Sequence, residues 1–293
     1  RRQQRPMPTR AYELIAPQTR TTSVVFASPH SGRDYPESFL RRIGLTRQAV
    51  RSSEDAYVDR LIEAAPLAGA SLLNACAPRA FIDFNRGADE LDPALIDGVR
   101  KIGHNPRVAA GLGVVPRVVA NGQAIYRGKI SKAEAQRRID RYWHPYHATL
   151  RAELDAAHAA FGQAILVDFH SMPHEAMDSV AKSGGRRPDV VLGDRFGAAA
   201  DAAVVDGIDA AFASAGLKVA RNTLFAGAYI TQTYGRPCGN RHAVQVEIDR
   251  SLYLDERNVA PGRNFAAFRA LLEGVVAEIA AIGRPASLPL AAE

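Results

Sequence analysis

Two kinds of apolar pattern alternate along the chain. Short runs of β-branched and apolar residues predict buried strands, and longer stretches with apolar positions three and four apart predict helices. Ser23 to Ser28 is a run of the first kind, and it stops at the turn sequence Pro29-His30-Ser31-Gly32. Ala70 to Ala75, Ala80 to Phe84, Ala164 to Phe169, Val190 to Leu192, Leu217 to Ala220 and Ala243 to Ile248 predict further strands. Helical spacing covers Asp55 to Ala65, through Val58, Leu61, Ile62 and Ala65, and recurs in Phe196 to Ala215, closed by Gly216. It also covers Asn264 to Ile282. The longest helical stretch, Ser131 to Phe161, opens on a Ser131/Glu134 capping box and is interrupted at Tyr142-Trp143-His144-Pro145.

Residues 87–128 are rich in Gly, Pro and Asn without a period, which predicts a surface excursion of the sort that shapes an active site. Residues 173–187 read as a polar loop and 1–20 as a loose basic lead-in. Strands alternating with helices predict an α/β fold with a largely parallel sheet. No internal repeat or linker divides it, so residues 21–293 are expected to form a single catalytic domain.

Composition adds exclusions. Of 293 residues, 47% are hydrophobic and 23% charged, ordinary values for a globular protein that needs no disulfide framework. Apolar runs fall far short of the roughly 20 residues that span a bilayer. Arg1 to Arg20, polar and arginine-rich, does not read as a signal segment. Cys76 and Cys238 form no CxxC pair and read as small hydrophobes near buried strands, consistent with a reducing cytoplasm. The net charge is +6, and only five of the 37 basic residues are lysines. Guanidinium forks suit carboxylate or phosphate. They are scattered rather than grouped with aromatics, and small anionic substrates explain the basic balance as well as nucleic acid does.

In α/β sheets ligands bind outside the carboxyl ends of the strands. His30, Asn85 with Arg86, and His170 with Ser171 follow predicted strands, and Glu247 lies within one. Histidine ligands, a carboxylate base and an arginine for an anion suit a metal hydrolase. The chain has no HExxH, GxSxG, GxxxxGK[ST] or GxGxxG.

These segments resemble a known family. Ser28-Pro29-His30-Ser31-Gly32, Ile82-Asp83-Phe84-Asn85-Arg86, Val167-Asp168-Phe169-His170-Ser171-Met172 and Val246-Glu247-Ile248-Asp249-Arg250 look like N-formylglutamate amidohydrolases. Asp55-Ala-Tyr-Val-Asp59 and Gly227-Ala-Tyr229-Ile-Thr231 match in order, so the likeness runs from about residue 23 to 256. It implies a central mixed, mainly parallel sheet with helices on both faces, similar to zinc carboxypeptidases and aspartoacylase. It also implies one Zn2+ per chain, a small anionic N-acyl amino acid as substrate, no nucleic-acid or membrane partner, and a cytoplasmic place in histidine degradation.

By the resemblance, His30 and His170 are zinc ligands. Carboxypeptidases place a glutamate three residues after the first histidine, where this chain has Arg33. The carboxylate must come from elsewhere, and the resemblance implies Asp55, which lies where the amidohydrolase family keeps its aspartate, with Glu54 the alternative and a helix N-cap the competing role for Asp55. Glu247 is similar to the catalytic glutamate, with an ion pair to Arg250 as the competing role. Asn85 and Arg86 resemble a pair that holds the substrate carboxylate. Arg79 is a second anchor, an electrophile at the scissile carbonyl, or a solvated surface residue. Tyr229 and His242 fall in family-like segments as pocket residues, although a buried, satisfied histidine accounts equally for His242.

Overall fold

The structure, a computed structural model, describes residues 10–100, 105–182 and 187–285. Seven strands make the central sheet: β1 (Tyr12–Ile15), β2 (Val24–Ser28), β3 (Ser71–Ala75), β4 (Ala164–Met172), β5 (Val190–Gly193), β6 (Val219–Arg221) and β7 (Arg241–Asp249). Their spatial order is β1-β3-β2-β4-β7-β5-β6. The pairs β2–β3, β2–β4, β4–β7 and β5–β6 are parallel, while β1–β3 and β5–β7 are antiparallel. The sheet is thus mixed and mainly parallel.

Four helices matter to its packing: α1 (Lys132–Arg138), α2 (His144–Phe161), α3 (Ala202–Ser214) and α4 (Phe265–Ile282). Strand residues alternate between faces. Phe26, Val167, Phe169, Val244 and Val246 pack against α3 and α4 through Ile208, Phe212, Leu272 and Val276. Val25, Ala27, Leu166 and Ala243 face the other way, toward Tyr146, Leu150 and Leu154 of α2. Among the described residues no helix is long and apolar enough to cross a membrane.

Several local expectations change. The run Ala80 to Phe84 is buried but forms no strand, because the Phe81 and Ile82 amides bond back to the Pro78 carbonyl and close a turn. The helix expected over 55–65 shrinks to Val58–Leu61 and gives way to a 3-10 turn containing Pro66. The helix expected from Phe196 starts only at Ala202, since Arg195 and Phe196 take positive φ. Part of the lead-in is ordered as β1 against β3; residues 1–9 lie outside the described residues. Residues 174–177 and 178–182 of the expected polar loop are short helical turns, and 183–186 lie outside the described residues. Cys238 is exposed in a turn rather than near a buried strand.

The Ser131 hydroxyl accepts from the Glu134 amide as predicted, but the Glu134 carboxylate turns to Arg137 and Arg138, so the capping box is only half made. The interruption expected at Tyr142–Pro145 takes the form of a π-helical segment, Ile139–Trp143, between α1 and α2.

Candidate active site

On the α2 side of the sheet, the face of the two central strands changes character toward its C-terminal ends. In β4 the positions Ala164 and Leu166 are followed on the same face by Asp168 and His170. In β7 Ala243 is followed by Gln245 and Glu247. The register places His170 opposite Glu247 and Asp168 opposite Gln245. The apolar half is sealed by the core, and the polar half opens on a cavity of about 140 Å³. His30, Asp55, Arg79, Asn85, Arg86, Arg107, His170, Gln245, Glu247 and Arg250 line it, facing a wall that includes Leu224 and Phe225.

His30 enters from the turn after β2. Gly32 shapes that turn: a Cβ there would lie 2.1 Å from the Ala77 carbonyl oxygen, so no larger residue fits. Asp55 is held against the same turn, its amide donating to the His30 carbonyl at 2.9 Å. The ring Nδ1 atoms of His30 and His170 lie 3.1 Å apart, and Asp55 Oδ2 is 3.0 Å from one and 3.3 Å from the other. All three residues are buried.

The far side of each imidazole is held by a second carboxylate. His30 Nε2 lies 2.7 Å from Asp83 Oδ1, and His170 Nε2 lies 2.8 Å from Asp168 Oδ2. An imidazole that carries its proton on Nε2 donates it to that carboxylate and keeps a lone pair on Nδ1. In that tautomer the two Nδ1 atoms and Asp55 Oδ2 offer three ligand atoms to a cation. A proton on Nδ1 satisfies the same contacts with Asp55 when no cation is bound. Tetrahedral ligands at about 2.0 Å from a zinc ion stand about 3.3 Å apart, close to the separations here. Carboxylates behind metal-binding histidines fix the ring and raise its basicity. Burial disfavours the charged form of His170, but Asp168 and Asp55 outweigh it and raise its proton affinity. Burial likewise works to raise the Asp55 carboxyl, yet the two imidazoles hold it well below the usual range.

The choice between Asp55 and Glu54 follows from partners. Glu54 points away, accepting from the Tyr35 hydroxyl at 2.7 Å and Arg51 Nε at 2.9 Å. Asp55 Oδ1 is fixed by Arg250 Nη2 at 3.0 Å, which leaves Oδ2 to the histidines. Asp55 caps no helix, since the Val58–Leu61 turn has no side-chain cap. Arg33 lies elsewhere and forks onto Asp59 at 2.9 and 3.1 Å.

Glu247 is buried and accepts a hydrogen bond from Gln245 Nε2 at 2.8 Å. Burial is the main cause that pushes its carboxyl up to about 7; nearby Asp55 adds to this, while His170 and Arg79 oppose it. Arg250 is engaged by Asp55, Ser171 and the Glu54 carbonyl, so the ion pair considered for Glu247 is not formed. A buried carboxylate near neutrality is suited to take and return a proton.

Arg79 donates through Nε to Asp83 Oδ2 at 3.1 Å. Burial opposes its charge, but Asp83, Asp55 and Glu247 more than offset this and raise its pKa. Arg86 is buried, its Nε has no hydrogen-bond partner, and burial together with Arg107 and Arg79 lowers its pKa. The segment carrying it is clamped from α2 and the π-helical turn: the Trp143 indole donates to the Arg86 carbonyl, and His147 Nε2 to the Phe84 carbonyl, both at 2.8 Å. Asn85 lines the cavity, yet its Oδ1 accepts from the Ile230 amide at 2.8 Å, tying the 224–230 wall to the site.

Two expected pocket residues do not line the cavity. Tyr229 packs behind it, tilted against Trp143 and edge-on to His147, because its helical turn directs the ring toward α2. His242 sits near the start of β7, at the opposite end of the strand from Glu247, where its Nδ1 accepts from the Asp201 amide. Residues that sequence reasoning passed over carry the geometry instead: Asp83 bonds His30, Arg79 and the Asn85 amide at once, Asp168 orients His170, and Gln245 orients Glu247. The signal available was the period of two in strands, which puts Asp168 with His170 and Gln245 with Glu247.

With this geometry in place, similarity to known proteins is informative. The sequence model of the family "N-formylglutamate amidohydrolase" matches residues 22–254. An N-formylglutamate deformylase of Pseudomonas putida is 32% identical over 242 residues, covering 80% of this chain and 82% of the relative. One from Pseudomonas aeruginosa is 33% identical over 248 residues, covering 80% and 86%. The crystal structure of an N-formylglutamate amidohydrolase from Ralstonia eutropha JMP134 matches with a TM-score of 0.86 at 34% identity, over 93% of this chain and 98% of that one.

Proposed function

The chain belongs to the N-formylglutamate amidohydrolase family, and from that membership we propose that it hydrolyses the amide of an N-acyl amino acid, N-formyl-L-glutamate, to formate and glutamate. The observation that carries the reading is the meeting of three potential ligand atoms, His30 Nδ1, His170 Nδ1 and Asp55 Oδ2, beside the buried Glu247. Residues 21–293 act in this reading as one catalytic domain.

His30, His170 and Asp55 would hold a zinc ion. When bound, the ion supplies a Lewis acid for the formyl carbonyl and makes a water molecule acidic enough to react near neutral pH. Glu247 takes the proton of the attacking water as the new C–O bond forms. It then delivers that proton to the leaving nitrogen as the C–N bond breaks. One water is consumed, and formate and the free amine leave. Arg79, held through Nε by Asp83, keeps its remaining N–H groups for the oxygen on which negative charge develops. Arg86, whose Nε has no hydrogen-bond partner among the described residues, receives the α-carboxylate through its guanidinium fork.

The direct test is a hydrolysis screen of N-formyl and N-acetyl amino acids, scored by amine release with and without a chelator. Turnover of N-formylglutamate that chelation abolishes and zinc restores is expected. No turnover by zinc-loaded protein would overturn the reading.

Arg86→Ala leaves the proposed ligands and base in place but removes the fork. Charge-assisted hydrogen bonds contribute about 1.5–3 kcal/mol, so kcat/KM should fall at least about tenfold, mostly through KM. Arg86→Lys should recover only part of this, because an ammonium lacks the planar fork. An unchanged KM in Arg86→Ala would transfer the role to Arg79.

A further inference from the structure

Four arginines reach the cavity, and the structure divides them into two pairs. Arg79 is bound to Asp83 and Arg250 to Asp55. Arg86 and Arg107 have no carboxylate partner among the described residues, although both line the same cavity. Arg86 is buried and follows Asn85, whose Nδ2 lies 3.4 Å from His170 Nε2, whereas Arg107 is exposed at the rim. Asp83 and Glu90 favour the charge on Arg86 from a distance, but no carboxylate among the described residues forms an ion pair with either guanidinium, and a ligand with two negative groups complements both.

The two arginines are positioned against each other by a single carboxylate. Glu90 Oε1 accepts from the Gly87 amide at 2.8 Å, one residue after Arg86. Its Oε2 accepts from Asn105 Nδ2 at 3.1 Å, two residues before Arg107. Asn105 also caps the short turn Pro106–Ala109 by accepting from the Arg107 and Val108 amides. The excursion of residues 87–128 is thereby tied to the substrate-facing turn at its root. Arg107 is brought to the rim by a braced backbone.

We propose that Arg107 is the specificity residue for the substrate's side-chain carboxylate, while Arg86 takes the α-carboxylate. The inference rests on the amidohydrolase reading. The division follows from distance along the substrate: the α-carboxylate is two bonds from the scissile nitrogen and must lie near Glu247 and the histidines. A side-chain carboxylate is further out, where Arg107 stands. Glutamine matches glutamate in shape without the charge, so the ratio of the two N-formyl derivatives isolates this contact.

The experiment measures kcat/KM for N-formylglutamate and N-formylglutamine with the zinc-loaded protein and with Arg107→Ala and Arg107→Lys. The wild type should prefer the glutamate derivative by about tenfold or more, as a charge-assisted contact implies. In Arg107→Ala that ratio should collapse toward one, and Arg107→Lys should restore part of it. A ratio unchanged in Arg107→Ala overturns the proposal. Calorimetric binding of the same two compounds to Glu247→Gln protein, with and without Arg107→Ala, separates this proposal from the reading it rests on. If the wild type turns over neither compound but binding still discriminates through Arg107, the carboxylate site stands and the hydrolytic reading falls. If binding does not discriminate, the assignment of Arg107 falls whatever the activity.

Discussion

Replacing His30 or His170 with alanine is expected to remove the bound metal and reduce hydrolysis to background. A site of three protein ligands cannot hold the ion firmly with two. The loss should exceed the roughly 10–100-fold fall in affinity typical of removing an outer partner, which is the effect expected for Asp168→Asn. The fold should persist, because the sheet is packed on both faces by apolar residues that do not depend on the site. Asp55→Asn is a better probe than Asp55→Ala, since alanine would also strand the buried Arg250 guanidinium and could unfold the protein. Asp55→Asn should lose metal while Glu54→Ala keeps it, Glu54 being engaged by Tyr35 and Arg51. Metal content by elemental analysis, with circular dichroism for the fold, decides the matter. Wild-type zinc in either histidine variant would remove that residue from the ligand set.

Glu247→Gln should lower kcat by about 10²–10⁴-fold, the range for removal of a general base, with near-normal zinc content and little change in KM. The amide keeps the shape but cannot accept the water's proton. The pH profile provides a second readout. The base works deprotonated, and burial first among its causes raises its carboxyl to about 7. Activity should therefore be present above that limb and fall tenfold per unit as pH drops below it. A bound dication favours the carboxylate and shifts the limb to lower pH. The limb should vanish in Glu247→Gln. An unshifted profile with full kcat in that variant would exclude Glu247 as the base.

Much of this site is legible along the chain because strands impose a period of two. Once Ala164 to Phe169 reads as a buried strand, His170 must share a face with Asp168, and Glu247 with Gln245. A polar residue at the buried end of such a strand stands out against its apolar neighbours. The same reasoning fails at Ala80 to Phe84, whose apolar residues are buried as expected but whose backbone closes on Pro78. Burial and strand pairing leave the same hydrophobic trace in sequence, and only the hydrogen-bond partners distinguish them. Tyr229 and His242 show the other limit: position within a matching segment does not tell which way a side chain faces.

The order of apolar runs by itself determined the α/β architecture, the central strands and the turn after β2 that carries His30; His170, expected just after its strand, lies within β4. Those features depend on local periodicity and burial, which a linear sequence records. Tertiary structure decided that Asp55, and not the adjacent and chemically alike Glu54, faces the two histidines. Arg250, which lies 195 residues beyond Asp55, anchors it with one oxygen toward the histidines, while Tyr35 and Arg51 draw Glu54 away. It also decided that Asp83 serves His30, Arg79 and Asn85 together, and that Arg86 and Arg107 form no ion pair among the described residues. Electrostatic pairing is settled by distance in space between residues far apart in the chain, and no local pattern encodes that distance.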